Sequence, residues 1–145
     1  MYLIDSDILI YSLKNHPLVR KKFQEKVSIP KSISVITYGE LYYGARKSFH
    51  IEKNLAVVRR ISELFPIINT TKSIMETFAD LKTGLQTKGN VLADFDLIIA
   101  ATALSMSYIL VTNNEKHFSR IPSLQIENWQ VIGGRQECCS PAVRG

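Results

Sequence analysis

Cysteine is scarce in this chain of 145 residues, which has only two, Cys138 and Cys139, side by side near its end. Adjacent cysteines in a tail are poor candidates for a disulfide that staples a fold, and no paired Cys/His spacing suited to zinc occurs. His16 precedes a proline and His50 lies in a charged linker, so we expect both to be solvated. The sequence therefore predicts a fold without disulfides or zinc, in a reducing, cytoplasmic setting.

Long uninterrupted apolar runs are also absent. No window approaches the length of a membrane span without a charge, and Asp5 and Asp7 interrupt the first apolar stretch, which has no basic segment before it. No glycine-rich loop follows any strand-like segment, which argues against P-loop and dinucleotide-binding sites. We therefore expect no signal peptide, no membrane-spanning helix and no bound nucleotide cofactor.

The composition is that of an ordinary globular domain. Apolar residues make up 46% of the chain and charged residues 21%, which allows one domain with a substantial core. Lysine and arginine number 18 against 13 aspartates and glutamates, a net charge of +5. This excess is compatible with a polyanionic partner, either nucleic acid or an acidic protein segment, and does not choose between them.

Strand-like and helix-like segments alternate along the chain. The predicted strands are residues 2–5, 33–37, 67–69, 108–112 and 124–128, and the predicted helices are 6–15, 17–26, 38–48, 51–65, 71–89 and 96–107. Such alternation predicts an α/β fold, a central parallel sheet with helices on both faces. Residues 1–130 form the predicted domain. Residues 131–145 lack periodicity and contain Gly, Pro and Ser, so we predict a disordered C-terminal tail.

Acidic and polar residues follow several of the predicted strands. Asp5 ends the first strand, Glu40 lies one turn into the helix after the second, and Asp96 opens the buried helix, with Asp94 two residues earlier. Residues 112–114, Thr-Asn-Asn, follow the fourth strand. The carboxyl ends of parallel strands meet at one edge of a sheet, where ligands bind. We therefore expect these side chains to gather there.

Each acid also has a purely structural interpretation. Asp5 or Asp7 could be the N-cap of the first helix, and Asp94 or Asp96 could cap the buried helix. Glu40 could be a solvated helix residue. Taken together, however, three acids from three elements would repel one another in a half-buried cleft. A divalent cation removes that conflict, and oxygen ligands favour a hard ion, Mg²⁺ or alternatively Mn²⁺.

Five blocks of this sequence, in order and at similar spacing, resemble the PIN-domain ribonucleases, and most of all the VapC-type toxins of bacterial toxin–antitoxin pairs. The blocks are "YLIDSDILIYSL", "ISVITYGELYYGA", "DFDLIIAATAL", "ILVTNNEKHFSRI" and "LQIENW". The resemblance covers about residues 1–130. It implies an α/β/α sandwich, cleavage of RNA that depends on Mg²⁺ or Mn²⁺, a homodimer, and a cognate antitoxin protein that holds the toxin inactive.

The resemblance also assigns roles to particular residues. Asp5, Glu40 and Asp96 match three acids of the family, so they are the implied catalytic residues and metal ligands. Asp7 falls where the family often has Asn, and it is at best a supporting residue. Asp94 is an extra acid that ranks behind Asp96.

The sequence departs from the family pattern at the fourth acidic position. Asn113 and Asn114 stand where the family often has Asp, and His117 stands where it often has an acid before Phe118. This departure puts a second metal position in doubt. Asn114 is then expected to position water or phosphate in catalysis. His117 is either a phosphate or leaving-group contact or a surface residue.

Two other functions fit parts of the sequence. The missing fourth acid fits a catalytically degenerate PIN domain that binds RNA or protein without cutting. The opening "DSDIL" and the later "VTN" resemble motifs of haloacid-dehalogenase-like phosphatases, but the acidic pair Asp94 and Asp96 precedes the Thr motif here rather than following it. The chain is also short for that fold, so we favour the ribonuclease.

Overall fold

The computed structural model of the protein describes residues 1–131. In this part of the chain, five parallel strands form one sheet with the order β3-β2-β1-β4-β5. The strands are β1 (Tyr2–Ile4), β2 (Lys31–Ser34), β3 (Ile67–Ile68), β4 (Ile109–Val111) and β5 (Ile126–Glu127). The helices are α1 (Ser6–Leu13), α2 (Pro17–Glu25), α3 (Val35–Arg46), α4 (Ile51–Leu64), α5 (Lys72–Thr87), α6 (Asp94–Met106) and α7 (Glu115–Phe118).

The central strand β1 is buried on both faces, which explains why all three of its residues are apolar. Successive side chains of a strand point to opposite faces. Tyr2 and Ile4 accordingly pack with α1–α4, whereas Leu3 packs with α5–α7. The sheet therefore separates two apolar cores, one under each helical layer, and the predicted arrangement of a parallel sheet with helices on both faces is present.

The strand order puts β1 at the centre of the sheet, between β2 and β4. β1 pairs with β2 on one side and with β4 on the other. In the β1–β4 pair, Tyr2 lies opposite Ile109 and Ile4 lies opposite Val111. The connections leaving these strands therefore diverge at their carboxyl ends, which creates a cleft between them.

Several element boundaries differ from the predictions. Residues 35–37 belong to α3 rather than to the second strand, because Ser34 ends β2 and caps the helix. Helix α6 begins at Asp94, two residues earlier than predicted, and its N-cap is Ala93, so neither Asp94 nor Asp96 is the cap. The short helix α7 was not predicted.

None of the helices in residues 1–131 has the length and apolar character that crossing a bilayer requires. The predicted tail at 131–145 lies outside the described residues except for Val131, and so do both cysteines. The division at residue 130 therefore stays a prediction.

Candidate active site

Asp5 stands where β1 ends and α1 begins. It is the N-cap of α1: its Oδ1 accepts a hydrogen bond from the Ser6 backbone N–H at 2.8 Å. Its Oδ2 accepts a hydrogen bond from the Thr112 hydroxyl at 2.8 Å, across the neighbouring β4 connection. Asp5 is only 7% exposed. The cap interpretation is thus correct for Asp5, and the same carboxylate also faces the connection that follows β4.

Asp7 lies in the first turn of α1 and reaches the same connection. Its Oδ2 accepts the Asn113 backbone N–H at 3.0 Å. Its Oδ1 is buried and has no hydrogen-bond partner among residues 1–131. Asp7 therefore places an unpaired carboxylate oxygen inside the structure, between α1 and the loop after β4.

Glu40 comes from the opposite side of the central strand. Ser34 starts α3 by accepting the Thr37 backbone N–H at 3.0 Å, and Glu40 lies in the second turn of that helix. Glu40 Oε1 accepts a hydrogen bond from the Ser6 hydroxyl at 3.3 Å, which joins α3 to the start of α1. The structure thus brings Glu40 next to the Asp5 segment, 34 residues away along the chain.

Asp96 lies in the first turn of α6, facing α7. Its Oδ2 is 3.6 Å from Nδ1 of His117, whose side chain is 47% exposed against 23% for Asp96. The same imidazole nitrogen is 2.9 Å from the Asn114 side-chain amide nitrogen. Asp94 instead forms an exposed ion pair with Lys82 at 2.9 Å. The ranking of Asp96 over Asp94 as a site residue is consistent with this geometry.

Burial and the charges of neighbouring acids raise the pKa of three carboxyl groups in the cleft, those of Asp5, Asp7 and Glu40. Burial, followed by the charge of Asp7, raises the pKa of Asp5 to about 7, against the lowering effect of its bonds to Thr112 and Ser6. Burial also raises the pKa of Asp7 and of Glu40, and the charge of Asp96 adds to both shifts. No lysine or arginine in residues 1–131 pairs with any of these three carboxylates. Asp5, Asp7 and Glu40 are therefore close enough to affect one another, without a lysine or arginine beside them in the described part of the chain.

A hard divalent cation fits this donor set. The donors are carboxylate oxygens, they repel one another, and Asp7 Oδ1 is buried without a partner, which is costly for a carboxylate. Among residues 1–131, no three His, Cys, Asp or Glu side chains already stand close enough to hold an ion. The fit thus lies in the chemistry and charge of the donors.

The loop after β4 makes two sets of contacts that the sequence did not predict, although Thr112 itself was expected at this edge, where it would position water or phosphate. Thr112 is fully buried, donates to Asp5 and accepts the Asn114 backbone N–H at 3.0 Å. Asn128, after β5, donates to Asn113 Oδ1 at 3.1 Å and to Glu115 Oε2 at 2.8 Å. Its place at the carboxyl end of an adjacent strand was the available signal. Asn114 was expected to act in catalysis, and its side chain contacts the imidazole of His117.

Comparison with known proteins supports a single family. A model of the PIN domain matches residues 2–124. Ribonuclease VapC2 of Haemophilus influenzae is 36% identical over 129 residues, which cover 88% of this chain and 97% of the relative. The tRNA(fMet)-specific endonuclease VapC of Salmonella typhimurium is 38% identical over 130 residues, with the same shares. The chain belongs to the PIN-domain family, as a VapC-type member.

Solved VapC-type structures share its fold. The crystal structure of VapBC2 from Rickettsia felis bound to a DNA fragment from the promoter has a TM-score of 0.82 and 32% identity, covering 88% of this chain and 98% of that one. DNA-bound VapBC from Salmonella typhimurium also has a TM-score of 0.82, at 34% identity, with 88% and 97% covered. The predicted PIN-like α/β/α fold is confirmed, and these matches favour a VapC-type nuclease over the phosphatase.

Proposed function

We propose that this protein is the ribonuclease toxin of a toxin–antitoxin pair, and that it cleaves RNA phosphodiester bonds with a divalent metal ion, Mg²⁺ or alternatively Mn²⁺. The observation that carries the proposal is that Ser6 joins Glu40 of α3 to the Asp5 segment at the end of β1, in a chain of VapC type. Asp96, in the first turn of α6, contacts His117 of α7, which follows the loop after β4. Buried carboxylates that repel one another destabilise the fold, whereas a bound cation would offset their charge.

Asp5 and Asp96 hold the metal in this proposal, and Glu40 completes the site directly or through water. A divalent cation held there would offset the charge of the incoming phosphate and polarise a phosphoryl oxygen, which makes the phosphorus more electrophilic. If Glu40 is not itself a ligand of the ion, its carboxylate would help to remove a proton from the attacking water. The water oxygen forms a bond to phosphorus as the bond to the leaving oxygen breaks, and that oxygen takes a proton from solvent.

The neighbouring polar residues set the geometry of that reaction. Thr112 fixes the Asp5 carboxylate by donating to it, and the same hydroxyl accepts the Asn114 backbone N–H. The Asn114 side chain bonds to the imidazole of His117, which stands beside Asp96. We propose that this chain of contacts places Asn114 to position phosphate or water near the metal.

An apolar groove lies beside Glu40. It runs between α1, α3 and α4, includes Leu13 and Val57, and reaches the catalytic Glu40 at one side. Ile10 and Leu13, which line this groove, are 40% and 50% exposed. We propose that an apolar antitoxin segment fills this groove and places a basic residue against the acidic cleft. The similar solved structures from Rickettsia felis and Salmonella typhimurium are of VapBC.

One second function has specific support, the degenerate PIN domain that binds RNA or protein without cutting. Its support is that Asn113 and Asn114 place no acid in the loop after β4, and that no group of metal ligands is preformed in residues 1–131.

The homodimer and the cytoplasmic location remain proposals, which light scattering and cell fractionation would test.

The test is a cleavage assay on total RNA and on initiator tRNA, the latter chosen because a Salmonella relative is named for it. Wild type is compared with Asp5→Asn, Asp96→Asn and the matched control Asp94→Asn, in Mg²⁺, in Mn²⁺ and in chelator. We expect discrete cleavage by wild type and Asp94→Asn in metal alone, and a loss of at least about 100-fold in the other two. Cleavage that survives chelator or Asp5→Asn would contradict the proposal, and RNA binding without cleavage would favour the degenerate domain.

A further inference from the structure

The first turn of α1 carries a carboxylate that the function described above does not use. Asp7 Oδ2 accepts a hydrogen bond from the Asn113 backbone N–H at 3.0 Å. Its Oδ1 is buried and has no hydrogen-bond partner among residues 1–131. A backbone N–H requires only a single neutral acceptor, which an amide oxygen supplies equally well. The contact with Asn113 therefore does not require a charged group, and it leaves the buried Oδ1 of Asp7 without a partner in the described part of the chain.

Asp7 contacts the loop after β4, where Asn113 and Asn114 stand in place of acids. The loop after β4 contributes two neutral amides, Asn113 and Asn114, at the edge where Asp5 and Asp96 also lie. Asp7 contacts that loop directly, from the facing helix. Its buried oxygen therefore lies beside a loop that itself brings no charge to the cleft.

We propose that Asp7 is a fourth carboxylate of the metal site, supplying from α1 the negative charge that the loop after β4 lacks. This inference rests on the proposed function, because it assigns a further residue to the same metal site. It explains the unpaired Asp7 oxygen as a donor directed at a cation. It also gives this chain four acids, Asp5, Asp7, Glu40 and Asp96, despite the two asparagines.

The test is the Asp7→Asn variant, which preserves shape and the acceptor for Asn113 and removes only the charge. Mn²⁺ binding to the purified, chelator-treated proteins is measured by isothermal titration calorimetry, with folding checked by circular dichroism. We expect Asp7→Asn to bind Mn²⁺ at least about tenfold more weakly than wild type. The matched control Asp94→Asn, which loses an exposed carboxylate paired with Lys82, should bind as wild type does.

A charge-relocation variant provides the second measurement. Asp7→Asn combined with Asn114→Asp returns one carboxylate to the β4 loop, beside His117 and Asp96. We expect the double variant to bind Mn²⁺ within about threefold of wild type. Affinity no better than that of Asp7→Asn alone would contradict the exchange of one position for the other.

The same titration separates this inference from the proposed function. If Asp5→Asn and Asp96→Asn lose Mn²⁺ while Asp7→Asn retains wild-type affinity, the metal site stands and the role of Asp7 is overturned. If wild type binds no Mn²⁺, both fail. Weakened binding in all three variants, with Asp94→Asn unaffected, is the result that we expect.

Discussion

Asp5 shows how one residue can serve the fold and the site together. It accepts the Ser6 backbone N–H as the cap of α1, and it accepts the Thr112 hydroxyl from the connection after β4. These bonds occupy one lone pair on each oxygen and leave others for a cation. Capping and metal binding, which the sequence presented as alternatives for Asp5, are therefore compatible.

The raised pKa of Asp5 makes the stability of the metal-free protein depend on pH. Because this pKa is about 7 in the folded protein against 3.8 for an ordinary Asp, the folded state holds a proton that the unfolded chain releases. The stabilising effect is present at low pH and is lost as the pH rises between those two values. We predict that Asp5→Asn removes this loss.

Urea unfolding in chelator, at about pH 4.5 and at about pH 8, measures the effect. The free energy of unfolding of Asp5→Asn relative to wild type should increase between the two pH values, by an amount on the order of 3 kcal/mol. Added Mg²⁺ should stabilise wild type at the higher pH, because it binds the native state. A difference between the proteins that is the same at both pH values would contradict the prediction.

The residue scale also shows what sequence reasoning could not reach. Asp5, Glu40 and Asp96 were predictable because each follows a recognisable strand or opens a helix. The orientation of Asn114 toward His117, and the contact of Asp7 with Asn113, depend on how the loop after β4 folds onto α1. Asp7 and Asn113 lie 106 positions apart, and no local pattern encodes their contact.

At the scale of elements, the boundary between β2 and α3 decides where Glu40 stands. The stretch Val35–Thr37 is β-branched and favours a strand by composition, which is why the strand was predicted to continue. Ser34 instead accepts the Thr37 backbone N–H and starts the helix three residues earlier. A capping bond thus overrides the local preference, and it positions Glu40 in the second turn rather than the first.

Removing that cap should weaken the fold. Ser34 is buried, and in Ser34→Ala both the Thr37 N–H and the Thr37 hydroxyl lose a partner. We predict a loss of about 1–2 kcal/mol in the free energy of unfolding, measured by urea denaturation. The control Ser28→Ala changes an exposed serine between α2 and β2 and should stay within about 0.5 kcal/mol of wild type. Equal effects of the two variants would contradict the assignment of Ser34 as the cap.

At the scale of the whole molecule, the sheet order explains why distant acids converge. Alternating strands and helices predicted a parallel sheet, and strands β1, β2 and β4 meet at its centre. The order itself was not predicted, because strand neighbours are set by the packing of both helical layers rather than by sequence spacing. The same packing leaves the groove between α1, α3 and α4 open beside Glu40.

That groove gives a prediction about the partner. We predict that Leu13→Glu, which places a charge in the apolar groove, weakens antitoxin binding by at least about tenfold and leaves RNA cleavage by the free toxin intact. The control Leu64→Glu alters an apolar side chain on α4 of similar exposure, 58% against 50%, that does not line the groove. Calorimetry with the purified antitoxin measures both. Equal binding by the two variants would show that the antitoxin docks elsewhere.

We propose above all that Asp5 at the end of β1, Glu40 of α3 and Asp96 of α6 surround a catalytic metal ion. A crystal structure of wild type grown with Mn²⁺, with anomalous diffraction data, tests it most directly. We predict an anomalous peak that the carboxylates of Asp5 and Asp96 contact directly, with Glu40 and Asp7 beside it. Well-ordered carboxylates at saturating Mn²⁺ with no anomalous peak between them would contradict the claim.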